Sequence, residues 1–418
     1  MPMQRMLSIP ALALVMTAGT GFTPGPGLTW QLTDTGSTAR FRGLAPVSAT
    51  VAWAAGSAGT VLRTVDGGRT WSSVGPPEAA SLQFRDIAAF DARSAVALTI
   101  GSGTDSRVYA TTDGGRTWTE SFRNDDPVAF YDCLDFSDRR HGLALSDPVD
   151  GKFRILATRD GGRTWQVRPT EGMPAALPGE FAFAASGTCL VAQGNNAWFA
   201  TGGAEPSRVF TSHDGGRTWS VSDSPIPGGP SAGVYGLAFR ATDGTGRATD
   251  GTGRATDGTG RATDGTGRAT DGTGRATNGT GRATDGRPGA GQSGGAGQSG
   301  GAGQSGGAGQ SGGGWQGLAV GGDYVTPASA PDGAALSRNG GRTWTVSREV
   351  PGEYRSGVAW TGRGRTALAV GPTGSDVSYD GGVSWRSFDT GSFDAVACTA
   401  DGACWASGEQ GRIARLTH

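Results

Sequence analysis

The chain has 418 residues, of which 76 are glycine and 17% are charged, and its 36 Lys and Arg nearly balance its 37 Asp and Glu. That balance excludes an overall field that would draw the protein to nucleic acid or to an anionic membrane. Long amphipathic helical patterns are absent, and short β-branched or aromatic runs are broken by Gly, Asp and Pro. The sequence therefore predicts an all-β protein.

The first predicted element is a secretory signal peptide. Arg5 precedes an apolar stretch over residues 6–18, and small residues follow it. This order is typical of a signal peptide, and the apolar stretch is too short for a membrane span. We assign residues 1–27 to a signal peptide and linker and expect a secreted or periplasmic protein. An upstream extension or mis-chosen start codon, and with it a cytoplasmic protein, is the alternative.

A hexapeptide recurs through the rest of the chain. DGGRTW occurs at 66–71, 113–118, 160–165 and 214–219, and the variants NGGRTW and DGGVSW follow at 339–344 and 380–385. Successive copies begin 47, 47, 54, 125 and 41 residues apart. Repeats of about 40–50 residues are typical of propellers.

The one long interval contains residues 241–314, a tract of ATDGTGR repeats followed by GQSGGA-type repeats. The tract has almost nothing apolar to bury, so the sequence predicts a disordered insertion. A calcium-binding β-roll is the alternative, but these repeats lack the large apolar residue that each repeat of such a roll needs. Without the tract, the length of this interval is similar to the lengths of the others.

Each period contains four short strands, which predicts a seven-bladed β-propeller of four-stranded blades. Six hexapeptides mark six blades, and three further strands follow the last copy. Thr29 and Trp30 match the Thr-Trp of the fourth strands, so a strand over residues 28–32 is predicted to complete the last blade. Residues 28–240 would hold this strand, blades 1–4 and the start of blade 5, and residues 315–418 the remainder.

The spacing places every hexapeptide in the turn between the third and fourth strands. An Asp there accepts hydrogen bonds from the following N–H groups, the Gly pair adopts positive φ, and the Trp packs beneath the turn. Six near-identical copies favour a structural role over a catalytic one. The predicted structural residues are Asp66, Trp71, Asp113, Trp118, Asp160, Trp165, Asp214, Trp219, Asn339, Trp344, Asp380 and Trp385.

Candidate binding residues lie where the first strands begin, at one mouth of the central channel. Arginines, carboxylates and tyrosines around this mouth could bind an anionic or sugar-like ligand or a loop of a protein partner. A ring of solvated charges around a wet pore is the alternative. The candidate pore-face residues are Arg42, Arg85, Asp86, Tyr131, Asp132, Asp147, Glu180, Tyr235, Asp323, Tyr324, Tyr354, Arg355 and Asp376.

The four cysteines are candidates for disulfides. Cys398 and Cys404 flank a short turn and could pair across a hairpin, whereas Cys133 and Cys189 pair only if the fold brings them together. With no CxxC and three His in the chain, we predict no metal site. No GxGxxG follows a strand, and we predict no cofactor.

The hexapeptides resemble the Asp-box (BNR-like) repeats of sialidases, sortilin-type receptors and photosystem II assembly-factor propellers, in which the box is a fold element on the rim. Over nearly the whole ordered chain the sequence resembles bacterial propellers of the photosystem II stability/assembly factor type. The segments FYDCLDF, RRHGLALSDPVDGKFRIL, GEFAFAASG and GGDY carry this resemblance. It implies a protein-binding propeller, although members are often labelled oxidoreductase or glycosyl hydrolase.

Together, these features predict a non-catalytic, exported, monomeric propeller that binds a protein or carbohydrate partner at its pore face and does not bind nucleic acid. A sialidase-like glycoside hydrolase, or an oxidoreductase, using the same face is the alternative. Sialidases carry Phe/Tyr-Arg-Ile-Pro in the first blade, where this chain has FRGL at 41–44, and its FRIL at 153–156 falls in a third strand. Two carboxylates roughly 5–10 Å apart in a pocket would mark a hydrolase.

Overall fold

The computed structural model describes residues 27–243, 247–248, 314–362 and 364–417, which form a seven-bladed β-propeller. Each blade is an antiparallel sheet, and the first strands of neighbouring blades contact one another around the central channel. Both the all-β prediction and the blade count are confirmed. The predicted signal peptide and most of the predicted disordered insertion lie outside the described residues.

The outer strand of blade 7 comes first in the chain, as β1 (Thr29–Thr33). Blades 1 to 4 follow with four strands each, and two short 3-10 helices, Pro77–Ala79 and Gly103–Asp105, lie in their connections. The strands of these blades are β2 (Phe41–Pro46), β3 (Ala52–Gly56), β4 (Val61–Thr64), β5 (Ser72–Ser73), β6 (Gln83–Ala89), β7 (Ala95–Ile100), β8 (Arg107–Thr111), β9 (Thr119–Arg123), β10 (Tyr131–Phe136), β11 (Gly142–Val149), β12 (Lys152–Thr158), β13 (Gln166–Val167), β14 (Leu190–Gln193), β15 (Asn196–Ala200), β16 (Arg208–Ser212) and β17 (Ser220–Asp223).

Blade 5 carries the insertion between its first and second strands, as predicted. Its first strand continues past the predicted boundary at residue 241, and a two-residue strand pairs with its end. The strands of blades 5 to 7 are β18 (Ala232–Asp243), β19 (Arg247–Ala248), β20 (Trp315–Asp323), β21 (Ala334–Ser337), β22 (Thr345–Val346), β23 (Gly357–Trp360), β24 (Ala367–Gly371), β25 (Gly374–Ser378), β26 (Arg386–Asp389), β27 (Ala395–Cys398), β28 (Cys404–Ser407) and β29 (Ile413–Thr417).

The N-terminal strand closes the ring, as the sequence predicts. β1 pairs antiparallel with β29, from Thr29 opposite Thr417 to Thr33 opposite Ile413. Trp30 on this strand is buried, and its indole N–H donates to Ser375 Oγ of blade 6 at 3.0 Å. One strand therefore joins the first and last described parts of the propeller and also bonds to the neighbouring blade.

The Asp-box turn is held by one carboxylate and one hydroxyl. Asp66 accepts hydrogen bonds from the Thr64 hydroxyl at 2.9 Å and from the N–H and hydroxyl of Thr70 at 2.9 and 2.7 Å. Thr64 Oγ1 in turn accepts the N–H of Gly68, whose φ of +84° is a left-handed value that glycine adopts without strain. A Thr or Ser stands two residues before the Asp or Asn in all six copies. The repeating structural unit is thus longer than the hexapeptide.

The hydrophobic core lies between neighbouring blades. Phe153 of blade 3 packs on Phe199 of blade 4 with ring centroids 5.1 Å apart, and Phe199 stacks on Phe210 at 4.4 Å. Because each blade buries its apolar face against the next one, the ring is stable only when it is complete.

We expect substitution of Trp30→Ala to lower the free energy of unfolding by about 3–5 kcal/mol, because it empties a buried site on the closing strand. Denaturant unfolding measures the change. Gln31→Ala is the matched control, since Gln31 is exposed on the same strand, and its expected effect is within about 0.5 kcal/mol. Equal effects of the two substitutions would contradict a closing role for Trp30.

Candidate functional site

In four blades a β-bulge displaces one residue near the start of the first strand. The strand register shifts at this point in blades 1, 2, 3 and 5, so that the displaced residue has no partner in the ladder. Bulges re-aim side chains and often lie beside functional sites. The displaced residues are Arg42, Arg85, Asp132 and Tyr235, all of which are predicted candidates.

The residue after the bulge lies where the inner strands touch. A Cβ on Gly43 would lie 3.0 Å from the backbone of Asp86 in the next blade, and a Cβ on Gly236 would lie 3.1 Å from the carbonyl oxygen of Ser356. In blades 3 and 4 the corresponding residues, Cys133 and Cys189, form a disulfide. The channel is therefore narrow just inside this mouth. The other two cysteines, Cys398 and Cys404, are joined across their hairpin.

Residues 181–188, here called the channel segment, cross the mouth of the channel. They precede the first strand of blade 4, yet Ala184 O accepts a hydrogen bond from Arg85 Nη1 of blade 2 at 2.9 Å. Ser186 Oγ donates to the carbonyl of Ser356, next to the first strand of blade 6, at 2.7 Å. Blades 2, 4 and 6 are not neighbours in the ring, so these contacts must span the channel. The wet, open pore that the sequence allows is therefore not what the structure shows.

The channel segment is fixed at both of its ends. The N–H of Ala182 donates to Asp147 Oδ1 of blade 3 at 2.8 Å, and Thr188 O accepts the N–H of Leu237 of blade 5 at 2.9 Å. Cys189, the next residue in the chain after the segment, is joined to Cys133 by a disulfide. The channel segment is consequently a fixed floor across the mouth.

One side of the mouth is charged. Arg40 makes a bidentate ion pair with Asp394, with distances of 2.7 and 2.6 Å. Arg42 lies 3.8 Å from the same carboxylate, and its Nε has no hydrogen-bond partner. Hydrogen bonding to Asp394 raises the pKa of Arg40, whereas burial lowers the pKa of Arg42. Asp394 thus lies beside two guanidinium groups, and only that of Arg40 is hydrogen-bonded to it.

Two carboxyl groups of blade 3 lie beside the channel segment, that of Asp132 buried and that of Asp147 half-buried. Burial, together with the negative charge of Asp147, raises the pKa of Asp132 well above its ordinary value. Burial also raises the pKa of Asp147 to about 6. Asp132 Oδ2 has no hydrogen-bond partner, and the residue is 2% exposed. The Asp132 carboxyl is therefore enclosed by the fold and is not open to a ligand at the mouth.

Several predicted binding residues are not accessible at the mouth. Glu180 is buried in an ion pair with Arg208 and also accepts the Thr201 hydroxyl at 2.6 Å. Arg355 and Asp376 form a buried ion pair at 2.6 Å. Fully buried ion pairs fix local geometry and offer no free group to a ligand.

Two further predicted residues are also enclosed by the fold. Tyr131 is fully buried against Phe122, with ring centroids 5.5 Å apart, and burial raises its pKa to about 12. Asp86 is 4% exposed and accepts the N–H groups of Ile87 and Leu134, each at 2.8 Å. Both residues support the inner strands and do not face a ligand.

The other side of the mouth is aromatic. Tyr235 stacks on Phe183 of the channel segment at 3.8 Å and contacts Tyr354 edge-on at 4.8 Å. Tyr324 lies at the edge of this cluster and is 54% exposed. Asp323, beside it, accepts the Ser231 hydroxyl at 2.7 Å, which orders the loop. Sequence reasoning missed Phe183 and the channel segment, because no repeat or motif marks them.

The described ranges hold no group of three or more His, Cys, Asp or Glu side chains that could bind a metal ion. In the same part of the chain, no helix has the length and apolar character needed to cross a membrane.

The fold and turns define an Asp-box β-propeller. The BNR/Asp-box repeat profile matches residues 210–221. Among solved structures, the chain resembles YCF48 bound to D1 peptide (TM-score 0.56, 12% identity, 95% of this chain and 98% of that one). It also resembles YCF48 from Cyanidioschyzon merolae (TM-score 0.53, 12% identity, 92% and 98%). A search of curated proteins found no match. At this identity the structural likeness establishes the fold alone.

We expect Asp147→Asn to stabilise the protein above pH 7 by about 2 kcal/mol, while still accepting the Ala182 N–H. The folded pKa of Asp147 lies above its ordinary value, so between about pH 4 and pH 6 only the folded state keeps the proton. Stability of the wild type therefore falls as pH rises through this window, and the advantage of the variant vanishes below about pH 4. Unfolding at several pH values measures it, with the exposed Asp150→Asn as control. A pH-independent difference would contradict the prediction.

We expect the double substitution Cys133→Ser/Cys189→Ser to loosen the channel segment, because the disulfide anchors its end to blade 3. Hydrogen exchange should quicken for the amides of residues 182–188 by about tenfold or more. Amides of the blade 4 Asp-box turn serve as the internal control and should keep their rates. Unchanged exchange rates in the channel segment would show that its hydrogen bonds hold it in place without the disulfide.

Proposed function

We propose that this protein is an exported, non-catalytic binding propeller that holds an extended segment of a protein partner on the mouth of its channel. The closure of that mouth by the channel segment is the observation that carries the proposal. Such closure leaves a closed surface in place of an open pore, with the charged side around Arg42 and the aromatic side around Tyr324. A surface of this shape suits a peptide that lies across it better than a small substrate that needs an enclosing pocket.

The charge around the mouth indicates the chemistry of the partner. The loops at this end carry exposed carboxylates that form no ion pair within the described ranges: Asp34, Glu78, Asp105, Asp125, Asp150, Glu205 and Glu409. The exposed Arg40 of the same loops is already paired with Asp394. This balance favours a segment containing Lys or Arg over the anionic ligand that the sequence suggests.

Exposed apolar side chains lie beside these charges. Tyr324 and Val325 are 54% and 64% exposed on the loop between the second and third strands of blade 5. Large exposed apolar residues next to an ordered aromatic cluster are typical anchors in protein interfaces. One solved structure of this fold, YCF48 bound to D1 peptide, contains a peptide. That protein supports the proposal by fold, and it does not identify the partner here.

Export is part of the same proposal. Two disulfides hold the mouth and blade 7, and disulfides persist in oxidising compartments such as the periplasm or the extracellular space. The N-terminal sequence pattern is consistent with this location. Cell fractionation, with the mature N-terminus read by mass spectrometry, tests it.

The test of binding is a peptide array with basic, neutral and acidic peptides of equal length. We expect basic peptides with an aromatic or aliphatic residue to bind best, and more weakly as salt rises. Tyr324→Ala should weaken binding about tenfold. Tyr379→Ala is the matched control, because Tyr379 is 60% exposed on the opposite face. Loss of binding in both variants, preference for acidic peptides, or turnover of glycosides by the protein would contradict the proposal.

A further inference from the structure

The face opposite the mouth carries arginines without carboxylate partners. This Asp-box face consists of the turns between strands one and two and between strands three and four of each blade. Its described turns hold ten exposed arginines outside any ion pair: Arg69, Arg93, Arg116, Arg140, Arg159, Arg163, Arg217, Arg338, Arg342 and Arg365. The two faces therefore differ in charge although the whole chain is nearly neutral.

The Asp-box carboxylates on this face are turned inward. Asp160 accepts four hydrogen bonds, from the hydroxyls of Thr158 and Thr164 and from the N–H groups of Arg163 and Thr164. The corresponding Asp residues of the other Asp boxes are held in the same way. The short Asp side chains stay within the turns, and the long arginine side chains form the outer layer.

The arginines converge at a cleft between blades 2 and 3. This cleft has a volume of about 310 Å³ and is lined by Arg139, Arg140 and Arg163, together with Ser94 and Thr112. Asp160 also lines it, with both oxygens occupied by the turn. Three arginines and one aspartate, together with the apolar Phe90, Ala95 and Ala110, thus line a space that would hold a small anion.

The three guanidinium groups differ in how many of their N–H donors are already hydrogen-bonded. Arg139 is held by Asp91 at 3.0 Å and by the Phe90 carbonyl at 2.8 Å, which makes it a fixed wall of the cleft. Arg140 makes a single 3.4 Å contact, to the Arg159 carbonyl, and Arg163 a single 3.1 Å side-chain contact, to the Asp160 carbonyl. Both keep most of their donors free.

We propose that this cleft binds a phosphate ester group. A guanidinium presents a planar fork of N–H donors that matches two phosphate oxygens, and two such forks with nearby hydroxyls suit a doubly charged tetrahedral anion. The group belongs either to a soluble phosphate ester or to a phospholipid headgroup. This site lies on the face opposite the proposed peptide-binding mouth, so each proposal stands or fails without the other.

The test is a calorimetric titration of the full chain with glycerol 3-phosphate. We expect saturable binding at one site, and at least about tenfold weaker binding in R140Q/R163Q, because two charge-assisted contacts are lost. Both side chains are exposed, so the variant should keep the wild-type melting temperature. R338Q is the matched control. It alters a cleft of about 320 Å³ between blades 5 and 6, where Arg348 already has Glu349 at 3.6 Å.

Vesicle sedimentation separates the two sources. Sedimentation with phosphatidate vesicles but not with phosphatidylcholine vesicles, lost in R140Q/R163Q, assigns a lipid headgroup. Glycerol 3-phosphate binding without sedimentation assigns a soluble ester. The proposal is overturned if the wild type shows no saturable binding to either probe, if R140Q/R163Q binds as the wild type does, if R338Q loses as much affinity, or if acetate competes as well as phosphate.

Discussion

The pairing of β1 with β29 is the constraint on which the rest of the structure depends. Each blade buries its apolar face against the next, so an incomplete ring would expose the core between its first and last blades. Closure through Trp30 fixes the positions of the seven inner strands relative to one another. Only in a closed ring do the strand starts hold constant positions around one channel, which a binding surface requires.

Closure also explains why the inner strands touch and how the channel segment is held. The approach of Gly43 to Asp86 leaves no room for a side chain at the narrow level of the channel. The segment that leads into blade 4 can therefore reach blades 2 and 6 with short hydrogen bonds. The channel segment in turn closes the pore, and the proposed peptide segment would lie on the surface that this closure leaves.

Much of the fold could be predicted from sequence because the blades repeat. Each Asp box has the same local chemistry, so its spacing counts the blades, locates the insertion and identifies Thr29-Trp30 as the closing strand. The site was less predictable, because residue type alone does not distinguish an arginine at the mouth, such as Arg42, from a buried one, such as Arg355. A bulge displaces Arg42 to the mouth, whereas Arg355 is buried against Asp376. The partners of Glu180 and Arg355 lie on other strands, at distances along the chain that no local pattern records.

Net charge is misleading for the same reason. Nearly equal numbers of acids and bases indicate a protein without an electrostatic preference. Successive strands of a blade run in opposite directions, however, so successive loops lie at opposite ends of the propeller. Unpaired arginines lie mainly on the loops at one end, and unpaired carboxylates on those at the other. The Asp box drives the separation, because its Asp turns inward to hold the turn while the Arg three residues later extends outward. Four of the six boxes have both residues, and a fifth, at 339–344, has the Arg with Asn in place of the Asp. A motif selected for turn geometry thus also gives one face a layer of free guanidinium groups, and leaves the unpaired carboxylates of the opposite loops to set the charge of the mouth.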